Sequence, residues 1–152
     1  MLIVDYQSKS YHRFLNDMPQ IAKHKQRFLI TFNGGSENDL IAVADDFASY
    51  TTNAIQRTQA INDKASEAEV TNLFTEARNN RNILVFENSD ILFDRRTAVK
   101  SSHERDSNFD LNHLFKNIAK HNGIVILATQ QKQTLSASMS TKVDVLIRFP
   151  NA

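Results

Sequence analysis

Three short, unbroken apolar runs limit what this chain can fold into more than any other feature. They are Phe28-Leu29-Ile30-Thr31-Phe32, Ile83-Leu84-Val85-Phe86 and Ile124-Val125-Ile126-Leu127-Ala128. Each is rich in β-branched and aromatic residues and does not alternate with polar ones. Runs of that length, apolar on both faces, read as strands of a parallel sheet covered on both sides. Two further segments are candidate strands of a wetter kind. Val143, Val145, Ile147 and Phe149 alternate with Asp144, Leu146 and Arg148, which predicts one wet face and hence an edge strand. The polar segment Thr51–Thr58 is a candidate for the other edge. Between the strands lie stripes at helical spacing: Leu40, Val43, Ala44, Phe47 and Ala48; then Val70, Leu73, Phe74 and Ala77; then Leu111, Leu114, Phe115 and Ile118. Strands alternating with helices predict a doubly wound α/β sheet in three layers. In the first 26 residues, Tyr11, Phe14, Leu15 and Met18 predict a helix ending before Pro19, with no functional reading attached.

Composition narrows the function classes. At 152 residues the chain suits one domain, and no repeat, low-complexity tract or linker divides it. A net charge of +1 leaves no field strong enough to imply a nucleic acid or a membrane surface. The absence of cysteine excludes disulfide and thiol chemistry and fits a reducing compartment. The opening MLIVDYQSKS is too short an apolar run for a signal peptide or a membrane span, so a cytoplasmic protein is expected. His12, His24, His103, His113 and His121 show no spacing suited to zinc. His113 and His121 lie eight residues apart, and surface or helix-end roles are expected for both.

The stretch from Ile83 to Pro150 contains, in order, FENSD, FDRRTAVKSSHER, LNHLF and GIVILATQ, followed by VDVLIRFP. It resembles the second half of an AAA+ ATPase core, in particular the bacterial type associated with contractile injection systems. Upstream, Phe28 to Ala48 resembles the Walker A strand, loop and helix, and Glu67 to Ala77 the helix that follows. The resemblance covers residues 27–150. It implies a P-loop-type, mainly parallel sheet of five strands in the order 5-1-4-3-2, with Thr51–Thr58 and Val143–Phe149 as its edges. It also implies a single domain over 1–152, with 1–26 as an N-terminal extension, 27–150 as the core and no helical lid.

The residues at the family's chemical positions are the wrong ones. A working P-loop reads GxxxxGK[ST], in which backbone N–H groups and Lys hold phosphates and Ser/Thr helps to hold Mg²⁺. The matching stretch here is FNGGSEND, Phe32 to Asp39. Gly34 and Gly35 precede Ser36; Glu37 stands at the second motif glycine, Asn38 at the Lys and Asp39 at the Ser/Thr. A unit-charge contact near 4 Å is worth roughly 4 kcal/mol at an effective dielectric of 20. Losing a cation and gaining two carboxylates is therefore severe. Read structurally, Ser36 is a good N-cap and Asp39 its capping-box partner, with Glu37 and Asp39 favourable to the helix dipole. Glu87 stands at the Mg²⁺-organising Asp of Walker B and Asn88 at the water-polarising Glu, while Asp90 keeps a lone carboxylate that reads as a turn residue. Gln130 matches sensor 1, Thr141 and Lys142 fall where arginine fingers are implied, and Asn62 where a pore-loop aromatic is.

The resemblance, with its chemistry displaced, implies a catalytically inactive protein-interaction or regulatory module. No bound cofactor is expected. The expected partner is another protein, an active AAA+ ATPase first among the candidates, with a homodimer as the self-association. The alternative is a subunit that still binds ATP and Mg²⁺ and contributes to hydrolysis in a mixed ring. A third reading, a nucleic-acid adaptor using the mixed-charge loop Asp94–Asp106 with Arg95, Arg96 and Arg105, is disfavoured by the acidic residues in that loop and its lack of interleaved aromatics.

Overall fold

The computed structural model describes residues 1–23, 27–59, 67–87, 89–90, 111–130, 135 and 137–149. Its elements are β1 (Leu2–Asp5), α1 (Lys9–Lys23), β2 (Phe28–Asn33), α2 (Glu37–Thr51), β3 (Ile55–Thr58) and α3 (Glu67–Asn80). These are followed by β4 (Ile83–Phe86), α4 (Leu111–Lys120), β5 (Ile124–Ala128), α5 (Ala137–Lys142) and β6 (Val145–Arg148). The strands form one sheet in the order β1-β6-β2-β5-β4-β3, and every pairing is parallel.

The unbroken apolar runs are the central strands, as their pattern requires. In β5, Ile124, Ile126 and Ala128 face one core with α1 and α2. Val125 and Leu127 face a second core with α3, α4 and Met139 of α5. The layers are thus helix, sheet, helix. All five β5 side chains are buried, and each large one contributes roughly 1.5–3 kcal/mol. The helical stripes point inward as predicted: Leu40, Val43, Ala44 and Phe47 of α2, and Val70, Phe74 and Ala77 of α3, are buried.

Three expectations change. The sheet has six strands, because Leu2–Asp5 pairs with β6 and adds an edge outside the five-strand order. Val145–Arg148 is therefore interior, and Val145, Leu146 and Ile147 are all buried. The sequence hid β1 because only Val4 of its four residues is buried, leaving no pattern to read. Second, α1 does not stop before Pro19 but continues to Lys23. The proline removes one helical hydrogen bond, and the packing of Ile21 and Ala22 against the first core offsets it. Third, Thr51 belongs to the end of α2, where its hydroxyl donates to Phe47 O at 2.6 Å, so the outer strand is only Ile55–Thr58. Among the described residues, no helix is long and apolar enough to cross a membrane.

Candidate functional site

Ligands of open parallel α/β sheets bind outside the carboxyl ends of the strands. At that end β2 leads into Gly34 and Gly35, whose φ angles of 82° and 106° lie in the left-handed region. Side-chain-bearing residues rarely adopt such angles. Gly35 has a second reason to be glycine: a Cβ there would come within 3.0 Å of the Phe149 ring. Phe149 also meets the Phe32 ring edge-to-face and the Tyr6 ring at a tilt, with centroids 5.4 and 5.0 Å apart. Thr129, just past β5, ties the turn down. Its hydroxyl donates to Phe32 O at 2.6 Å and accepts from Gly34 N at 3.2 Å.

The helix that follows is capped from within. Asp39 N donates to Ser36 Oγ at 3.2 Å, and Ser36 N donates to Asp39 Oδ2 at 2.9 Å. This is the reciprocal capping box read from the sequence. These amides at the helix start, which a phosphate would otherwise meet, already have partners on the chain.

Arg57 of β3 lies across the mouth of the site. Its Nε donates to Glu87 Oε1 and its Nη2 to Glu37 Oε1. The hydrogen bond that Arg57 donates to Glu37, and then the one it donates to Glu87, outweigh burial and raise the arginine pKa further still. Glu87 is 9% exposed, and its other oxygen accepts from Gln59 Nε2 at 3.3 Å. The space left between Gly34, Gly35, Glu37, Glu87, Thr129 and Phe149 is about 20 Å³, room for little more than one water molecule.

Most of the sequence-predicted site residues do converge here. Gly34, Gly35, Ser36, Glu37, Glu87 and Gln130 line one recess. Asn38 and Asp39 lie in the first turn of α2, both at the exposed surface or nearly so. Asp90 accepts from Gln130 N at 3.2 Å, which joins the end of β4 to the end of β5. Asn88, Asn62, His24 and the loop with Arg95, Arg96, Lys100, His103 and Arg105 lie outside the described residues. Thr141 and Lys142 end α5 at the opposite end of the sheet, where Lys142 O accepts from Arg27 Nη1 at 2.9 Å. His113 lies on α4, with Nε2 3.0 Å from Thr71 Oγ1. Among the described residues, no cluster of His, Asp or Glu is suited to a metal ion. Sequence reading missed Arg57, Gln59, Thr129 and the position of Phe149. The available signal was a lone arginine in a short polar strand, and its two partners are 20 and 30 residues away.

A strand, a left-handed glycine turn and a helix N-terminus at the carboxyl end of a parallel sheet define a P-loop-type α/β domain. A family model described as "ATPase family associated with various cellular activities (AAA)" matches residues 40–151. The chain belongs to that family. The matched region begins at Leu40, immediately after Glu37, Asn38 and Asp39. In structure the chain is similar to a chain of the HORMA:CdnC:Trip13 complex of E. coli MS115-1. The TM-score is 0.58 at 14% identity, and the match covers 95% of this chain and 54% of that one. The likeness is one of fold, and this chain spans about half the length of its neighbour. No curated protein matches the sequence.

Proposed function

We propose that this chain is an AAA-family module that does not hydrolyse nucleotide and acts by binding another protein. One observation carries the reading: Arg57 bridges Glu37 and Glu87 across the position where a P-loop protein holds phosphate and Mg²⁺. The cation that would be needed there is committed to two carboxylates of the chain itself. Asp39, which replaces the Mg²⁺-holding hydroxyl, serves the helix cap instead. A Mg²⁺-nucleotide does not fit this residue set, since acidic side chains occupy the positions a triphosphate would need to be basic or bare.

Two further observations support a partner-binding role. The structural neighbour belongs to a complex of several proteins, and the resemblance between residues 83 and 150 is to ATPases of bacterial contractile injection systems. The leading partner is an active AAA+ ring, and the isolated chain is a monomer or a two-fold dimer. Titration calorimetry with ATP and ADP in the presence of Mg²⁺ tests the reading. We expect no binding at millimolar nucleotide. A dissociation constant below about 100 µM, near −5.5 kcal/mol, or an ATP-dependent ring in light scattering, refutes it. The second reading, a nucleotide-binding subunit of a mixed ring, draws on the retained glycine turn at a helix N-terminus. The same titration, repeated with the partner ring present, decides between the two.

A further inference from the structure

A large cavity bordered by described residues lies at the other end of the sheet, where β4 and β5 begin. Its volume is about 490 Å³, within the range of roughly 300–1,000 Å³ typical of small-molecule sites. The floor is apolar, formed by Pro19, Ala22, Ala77, Ile83 and Ile124. The polar lining is one-sided in charge. Lys23, Arg78 and Arg81 contribute cations, Asn53 and Asn122 contribute amides, and no carboxylate lines it among the described residues.

His121 marks the cavity as a built feature. The residue is 6% exposed, lines the space, and buries Nε2 without a hydrogen-bond partner. A buried ring nitrogen without a partner is rare in a finished interior. The ring is fixed against the edge of Phe74, with centroids 5.4 Å apart. Gly123 lets the imidazole pack close against it, since a Cβ there would lie 2.9 Å from Nε2.

Cations near helix ends often serve only to offset the carbonyls of the last turn. Here two of those ends are closed by the chain. Thr52 and Arg81, with φ of 61° and 57°, turn the backbone so that Thr52 N donates to Ala48 O and Asn82 N to Ala77 O, both at 2.9 Å. Arg78 and Arg81 form no ion pair with any described residue. We propose that this cavity is a binding site for a small organic anion, a phosphate or carboxylate carried on an apolar body. The guanidinium groups of Arg78 and Arg81 would pair with the anion, and the body would lie on the floor beside the His121 ring. The site is separate from the glycine turn, at the opposite end of the strands.

The test uses the whole chain and four probes: phenyl phosphate, benzoate, phenol and inorganic phosphate. Binding is read by calorimetry and by the imidazole NMR signals of His121. We expect phenyl phosphate or benzoate to bind at least tenfold more tightly than phenol and inorganic phosphate, and to shift the His121 signals. The tighter of the two assigns the anion. Arg78→Gln with Arg81→Gln should weaken that binding tenfold or more, whereas Lys116→Gln, which removes an exposed charge elsewhere, should leave it unchanged. His121→Gln should also weaken it, with the arginine variants as the measure should that substitution unfold the chain. No saturable binding at millimolar probe, equal binding of phenol, or equal weakening by Lys116→Gln would each overturn the proposal.

Discussion

Replacing Arg57 by Ala is the sharpest test of how the glycine-turn site is held. The substitution leaves Glu37 and Glu87 in place without their shared counter-charge. The two arms differ in worth. The Glu37 side chain is 57% exposed, so that pair contributes only about 0–1 kcal/mol. Glu87 has a side chain only 12% exposed, and stripping the partner from a buried ion costs roughly 3–5 kcal/mol. That upper range needs discounting, because Arg57 is itself 36% exposed and Gln59 remains as a donor. A loss of about 2 kcal/mol follows. For a domain of this size that corresponds to roughly 4–8 °C in melting temperature. Urea unfolding should show a lower midpoint at unchanged slope. Arg57→Ala combined with Glu87→Gln should recover most of the loss, since the neutral amide is not left as a buried charge. The single variant should still bind no ATP, because both carboxylates remain. A loss under about 0.5 kcal/mol, or a double variant no more stable than the single one, would refute the argument that Arg57 neutralises a buried Glu87.

Other perturbations test the remaining parts. Glu37→Gly, Asn38→Lys and Asp39→Thr together should gain affinity for nucleotide phosphate yet give no hydrolysis, because Asn88 stands where the family resemblance implies the water-polarising Glu; phosphate release and binding are assayed side by side. The same triple variant removes the Asp39 half of the capping box, so it should be about 1 kcal/mol less stable by urea unfolding. Tyr11→Phe should cost about 1–2 kcal/mol in the same assay, since the buried Tyr11 hydroxyl donates to Asp46 Oδ2 at 2.7 Å. Burial, followed by that hydrogen bond, drives the Tyr11 pKa far up, so its absorbance should not titrate in alkali until the chain unfolds. Burial, followed by the charge of Arg78, lowers the His121 pKa from its ordinary 6.5. The unfolded chain takes up a proton there that the folded chain refuses, so stability should fall as pH drops below about 6.5. His121→Leu should flatten that slope in urea midpoints measured between pH 7.5 and 5.5, a range of roughly one unit either side of the ordinary histidine value.

The ordinary reading of local pattern carried far here because its causes are local. An unbroken apolar run such as Ile124–Ala128 has to be covered on both faces wherever the sheet puts it, and the helical stripe of α2 can bury only one side. The capping box is also settled within four residues, since Ser36 and Asp39 reach one another's amides across a single turn. The composition of the loop, with Glu37 and Asn38 where the family resemblance implies Gly and Lys, is likewise written in the chain. Tertiary structure alone decided what those residues do. Arg57 is unremarkable in sequence and becomes the bridge between Glu37 and Glu87 only because β3 lies beside β4 in register. Leu2–Asp5 carries no strand pattern and becomes one because β6 offers it an edge. The fork of Arg148 then meets Asp5 at 2.8 and 3.1 Å across 143 positions. Pro19 reads as a stop, and the helix passes it because Ile21 and Ala22 find apolar surface beyond. His121 reads as a helix-end residue, and only the packing of α3 and the turn at Gly123 make it a buried side chain that lines a cavity. Periodicity and caps act over one or two turns of chain. Charge pairing, edge formation and cavities depend on which distant segments the sheet brings within a few ångströms, and no local pattern records that.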